Sequence, residues 1–131
     1  MLKSLVISLI IITTTFILGY YYIASPEVVF DKEVVQYKVS ENTRVVGYRV
    51  NKGGATVPFY YYYFFLSSSQ APGKNSPFMI TSANNIEIKH QEEGRIQINM
   101  QGEILSFKNE VWTQVDDEFH SLKIDINARY Q

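Results

Sequence analysis

The hydrophobic positions change regime once along this chain. From Ser4 to Pro26 they form an uncharged run of Leu, Ile, Val, Phe and Tyr behind Lys3; beyond Pro26 they alternate with polar residues at a period of two. A continuous run reads as a helix in lipid, because about 20 apolar residues at a rise of about 1.5 Å each cross a hydrocarbon core of about 30 Å. Leu5 to Ala24 supplies that length. A period of two reads as strands with one wet and one dry face. The expected architecture is mainly β. Residues 1–26 form a single N-terminal transmembrane helix, and residues 27–131 a small antiparallel β-meander domain, either a sandwich or an open barrel.

Within the apolar run, Thr13, Thr14 and Thr15 are the only consecutive polar residues. A threonine hydroxyl bonds back to a carbonyl one turn earlier, so they do not break the span. Tyr20, Tyr21 and Tyr22 crowd its C-terminal end, where a phenol keeps its ring in the acyl boundary and its hydroxyl in water. Lys3 and the amino terminus flank one side, and the first charge on the other side is Glu27. That asymmetry favours an N-terminus in the cytoplasm and the domain outside. A cleaved secretory signal is the competing reading. It fits less well, because cutting after Ala24 sets Tyr22, and cutting after Gly19 sets Ile17, where a small residue is needed.

The strands follow from the alternation. Glu33 to Val39 reads as a first strand, with Val34, Val35 and Val39 β-branched. Thr43 to Val50 and Val57 to Leu66 make a hairpin around a turn at Asn51 to Thr56. Ile86 to Met100 makes a second hairpin turning at Gln91 to Gly94, with Ile86, Ile88, Ile96, Ile98 and Met100 on the dry face. Glu103 to Lys108, Val111 to Val115 and Leu122 to Tyr130 follow, for six or seven strands in all. Residues 67–77, rich in Ser, Pro, Gly and Asn, read as a flexible surface loop.

Composition narrows the function. The chain has 12 basic and 13 acidic residues, so no basic face marks a nucleic-acid partner. The absence of cysteine removes disulfides, thiolate metal sites and cysteine nucleophiles. His90 and His120 are far apart in sequence and lie in no metal-binding helix motif. Asp116, Asp117, Glu118 and His120 offer carboxylates for a cation or, with His120 as a base, for a hydrolase, but they read more simply as a polar turn. Asp31, Glu92 and Glu93 read as solvated turn residues. No nucleophile elbow, P-loop or dinucleotide fingerprint is present, so no enzyme activity, cofactor or metal is expected.

The boldest candidate is Phe59-Tyr60-Tyr61-Tyr62-Tyr63-Phe64-Phe65. In a strand, Tyr60, Tyr62 and Phe64 share one face while Phe59, Tyr61, Tyr63 and Phe65 share the other. Either the strand is central and covered on both sides, or Tyr60, Tyr61, Tyr62 and Tyr63 form a binding face for a sugar ring, a protein or the outer lipid interface.

Gly53-Gly54-Ala55-Thr56 serves as a structural turn, with Gly53 and Gly54 free to take positive φ and Thr56 bonding locally. Over about Val39 to Leu66 this strand, Gly-Ala-Thr turn and strand resembles small bacterial membrane-anchored envelope proteins with a Gly-Ala-Thr hairpin. The resemblance implies a membrane-tethered domain and transfers no site. The expected localisation is the bacterial inner membrane, single-pass, with the N-terminus in the cytoplasm and the domain in the periplasm or outside the cell. The expected function is a non-enzymatic, membrane-anchored protein-binding or accessory module. Its partners are the bilayer, through residues 5–24, and a protein of the envelope. The alternatives are an envelope glycan- or lipid-headgroup-binding domain using the aromatic strand and, less favoured, an immunity protein against an incoming toxin.

Overall fold

The computed structural model describes residues 2–24, 28–51, 56–92, 94–115 and 118–130. Helix α1 (Leu2–Ala24) is the apolar run, and every side chain from Lys3 to Ile23 is exposed. Its 21 residues from Lys3 to Ile23 make it long and apolar enough to cross a membrane. The three threonines behave as their chemistry requires. The Thr14 and Thr15 hydroxyls donate to the carbonyls of Ile10 and Ile11 at 2.8 Å, and Thr13 donates to Leu9 at 3.0 Å.

Nine strands follow among the described residues: β1 (Phe30–Lys38), β2 (Thr43–Val50), β3 (Tyr60–Ser67), β4 (Met79–Thr81), β5 (Ile86–Glu92), β6 (Arg95–Gln101), β7 (Ile104–Phe107), β8 (Glu110–Val115) and β9 (Glu118–Arg129). They form two sheets, ordered β1-β2-β3-β4-β7 and β5-β6-β9-β8. The expected class, a helix followed by a mainly antiparallel β domain, is what the chain adopts, and the domain closes as a sandwich. Its core takes Val45, Tyr63, Phe78 and Met79 from the first sheet side, and Ile86, Ile96, Ile98, Met100, Leu122 and Ile124 from the second.

Two features lie outside the sequence pattern. Strand β4 has three residues, too few to show alternation, yet it pairs with both β3 and β7. One pair, β6 with β9, is parallel, running in register from Arg95↔Lys123 to Gln101↔Arg129. It arises because the chain leaves the second sheet after β6, lays β7 onto the first, and re-enters as the β8–β9 hairpin, which docks through β9. The 67–77 stretch, expected as a flexible loop, contains a 3₁₀ turn at Pro72–Lys74 and is tied to its surroundings. Ser68 N–H donates to Asn42 O at 3.1 Å, and the Asn75 amide to Gln70 Oε1 at 3.3 Å.

The crossovers between sheets meet at one corner. Ser82 N–H donates to Glu103 O at 3.0 Å, Glu103 N–H to Ser82 Oγ at 2.9 Å, and the buried Thr81 hydroxyl to Glu103 O at 2.6 Å. Gly102 permits this approach. Its φ is +149°, and a Cβ there would sit 3.0 Å from Ser82 Oγ and 3.1 Å from Ala83 N.

Gly47 performs the same service inside the first sheet. It lies opposite Tyr63 in the β2–β3 register, and a Cβ on it would fall 2.8 Å from Tyr63 Cδ1. The ring occupies the space a side chain would need. Gly47→Ala should therefore destabilise the domain by about 1–3 kcal/mol. Urea denaturation of the full chain in detergent micelles, followed by near-ultraviolet circular dichroism of the buried aromatics, checks this; an unchanged midpoint contradicts it.

Candidate functional site

Strand β3 lies between β2 and β4, so its aromatic run is covered along both edges. The four tyrosines do not share a surface. Tyr63 is fully buried in the inter-sheet core, and its hydroxyl donates to Ala83 O at 3.0 Å. Tyr61 and Phe65 are half-buried on the same inner face. Tyr62 faces the other way, half-buried in a second cluster built on Val46, Phe64 and Leu66 and flanked by Phe30 and Tyr48. There the Phe30 ring stands 5.5 Å from Tyr48 and 5.6 Å from Phe64, tilted or edge-on, the arrangement aromatic quadrupoles favour. Tyr60 is half-buried at the start of the strand. The run thus serves mainly to seat the first sheet between two apolar layers.

Of the expected turn, Thr56 is exposed, while Gly53 and Gly54 lie outside the described residues. Asp116, Asp117 and Glu93 also lie outside them. His90 is on β5 and His120 on β9, strands that β6 separates. Among the described residues no group of three or more His, Asp or Glu side chains converges as a metal site.

The surface that stands out lies on the second sheet. Along β9, Leu122 and Ile124 face the core, so Phe119, Ser121, Lys123, Asp125 and Asn127 face out. On this outer face, polar partners satisfy one another: Arg95 pairs with Asp125 at 3.3 Å, and Asn99 donates to Glu87 at 3.0 Å. That bond, with Lys89 nearby, holds the Glu87 carboxyl below its ordinary pKa. An open hollow of about 420 Å³, lined by Met100 and otherwise by polar residues including Asn85, Glu87, Asn99, Asn127 and Arg129, continues this surface, with no aromatic platform. Against this background two large apolar side chains stand in solvent. Trp112 is 66% exposed on β8 and Phe119 is 69% exposed on β9. Trp112 lies opposite Ser121, two residues from Phe119, which makes the pair diagonal neighbours on one face, about 7–8 Å apart.

Strand β8 is also the least protected edge. The free edge of β1 carries register shifts at Phe30/Lys32 and Glu33/Val35 and the charges of Asp31, Lys32, Glu33 and Lys38. β5 is shifted at His90/Glu92 and carries a Glu87–Lys89 ion pair, and β7 has only four residues. β8 pairs with β9 through six residues without a shift and contains no lysine or proline. Bulges, charge and shortness are how edges are kept from pairing, and β8 has none of the three beyond Glu110 at its start.

Comparison with known proteins finds no matching family model, curated protein or solved structure. The site therefore rests on its own geometry. Reading the sequence for clustered aromatics passes over Trp112 and Phe119, since they are separated in the chain and meet only across a hairpin. The one available signal was the alternation itself, which sets Trp112 on the face opposite Val111.

Burial raises the Tyr63 pKa, with the Tyr61 charge adding to it. Below about pH 10 the phenol is neutral in both folded and unfolded chains; above it the unfolded phenol ionises first and the folded state loses stability. Tyr63→Phe should cost about 1–2 kcal/mol at neutral pH, through the lost bond to Ala83, and should flatten the alkaline loss of stability. Denaturation midpoints at pH 7 and above pH 10 test both parts, and parallel pH curves for the two proteins would refute the assignment.

Proposed function

We propose that this chain is a membrane-anchored, non-enzymatic protein-binding or accessory module. α1 crosses the bacterial inner membrane with its N-terminus in the cytoplasm, and the β domain acts on the periplasmic or extracellular side. The observation that carries the reading is the β8 edge, where unpaired backbone groups run beside the exposed Trp112 and Phe119. An extended segment of a partner can add to such an edge by main-chain hydrogen bonds, while aromatic anchors supply affinity and register. The placement of the tyrosines supports this surface over the aromatic strand, because a ligand cannot stack on Tyr63 without opening the core.

Trp112 and Phe119 contribute little to folding, so removing them separates binding from stability. A photoreactive side chain carried at position 110 of the full chain in native membranes should crosslink one envelope protein, and the same group at position 89, on the β5 edge, should not. Combining it with Trp112→Ala and Phe119→Ala should reduce that product by about 30-fold or more, the loss of a central aromatic anchor, while the denaturation midpoint stays within about 1 kcal/mol of the parent. Equal products from both edges, or cytoplasmic partners alone, would overturn the proposal.

A further inference from the structure

A second exposed apolar patch lies where the domain meets its tether. Val28 and Val29 precede β1, and Val57 and Phe59 precede β3; all four are exposed, Val29 at 59% and Phe59 at 44%. Pro58 between the latter two is exposed as well, so Val57-Pro58-Phe59 presents three consecutive apolar residues to solvent. These segments belong to one end of the first sheet. Phe30 pairs with Val50, and Val50 with Tyr60, which places the start of β3 two strands, or about 10 Å, across from the start of β1.

The Arg49 side chain ties the two segments together. Its guanidinium lies 4.5 Å from the centre of the Phe59 ring and forms an ion pair of 2.7 Å with Asp31. The Arg49 hydrogen bonds hold the Asp31 carboxyl below its ordinary pKa, so the pair remains ionised and mutually neutralised. An aromatic ring capped by a guanidinium, beside exposed aliphatic side chains, is the composition that rests at the boundary of acyl chains and headgroups.

Chain length fixes how far this end can be from the bilayer. Six residue steps separate Ala24, the last residue of α1, from Phe30, and at full extension they reach about 20 Å. Val28 is four steps away, within about 14 Å. The headgroup layer takes up several ångströms of that distance. No other end of the domain is held so close. Of the domain's other exposed aromatics, Trp112 and Phe119 lie elsewhere, while Tyr130 follows Arg129 at the crossover corner. Along β9, Ser121 opposite Trp112 is eight residues, about 26 Å, from Arg129, whose carbonyl accepts from Gly102 at the crossover corner.

We infer that the end of the first sheet bearing Val28, Val29, Val57 and Phe59 docks on the lipid surface into which α1 inserts, with the Phe59 ring in the interface. This rests on the reading of α1 as a membrane span. Docking would hold the domain at a fixed height, with the β8 edge presented away from the bilayer.

The test uses the full chain in vesicles of phosphatidylcholine and phosphatidylglycerol carrying lipids spin-labelled near the headgroup. Three single-tryptophan proteins are compared: the parent with Trp112 alone, Trp112→Phe with Phe59→Trp, and Trp112→Phe with Tyr21→Trp. Quenching of the position-59 and position-21 emission at least about twofold beyond that of Trp112 is expected, since only interfacial side chains approach the label. If position 21 is quenched while position 59 responds like Trp112 and is open to aqueous iodide, the docking inference fails and the anchor stands. If position 21 is not quenched, the membrane reading fails, and the inference with it.

Discussion

The domain depends on one buried side chain, Tyr63. Its ring lies against Gly47 on β2, and its hydroxyl reaches Ala83, in the segment that carries the chain from the first sheet to the second. A phenol in an apolar core needs a partner for its hydroxyl, and Ala83 O is the acceptor. The bond thereby fixes where the chain may cross. Ser82 and Glu103 then close the corner with two reciprocal bonds, and Gly102 admits the backbone close enough for them. A smaller residue at position 63, or a larger one at 47, would leave the two sheets without a common reference point.

That dependence explains which parts of the fold can be read from sequence. The strands with a local signal are legible: β2, from Thr43 to Val50, is β-branched and buried on both faces, and the β5–β6 hairpin alternates, with Ile86, Ile96, Ile98 and Met100 on the buried face. The apolar run of α1 is legible for a different reason, its unbroken length, but that signal too is local. Strand β4 is not legible, because Met79 to Thr81 is shorter than any period and is a strand only through its neighbours β3 and β7. The parallel pairing of β6 with β9 is equally hidden. It follows from an excursion of β7 to the other sheet, and a contact made across that separation leaves no local mark.

The candidate site divides along the same line. The tyrosine run is the loudest signal in the sequence, and it is loud because a strand covered on both faces must be apolar on both. Tyr63, Phe64 and Leu66 are each no more than 1% exposed, so much of that signal is structural. Trp112 and Phe119 carry no such cluster in sequence. Each is an isolated apolar residue at an alternating position, and only the β8–β9 register sets them side by side. Their significance also depends on which edges are guarded, and that is a property of the assembled sheet order.

The two exposed apolar patches differ in kind, and the difference constrains how the molecule works. The first, around Val57 and Phe59, is aliphatic and aromatic, includes a self-neutralised ion pair, and sits within a tether's length of α1. A lipid interface requires no directional hydrogen bonds, and this patch offers few. The second, at Trp112 and Phe119, borders a row of unpaired strand groups, which bind an ordered partner well and lipid poorly, since hydrocarbon leaves them unsatisfied. A domain that rested on the bilayer through β8 would bury those groups without partners. The same domain resting on the Phe59 end leaves them in water, open to an incoming strand. The placement of the two patches thus favours one orientation: Thr81 of the crossover corner pairs with Tyr61 at the start of β3, so the corner lies at the same end as Phe59, while Trp112 lies about 26 Å along β9 from it.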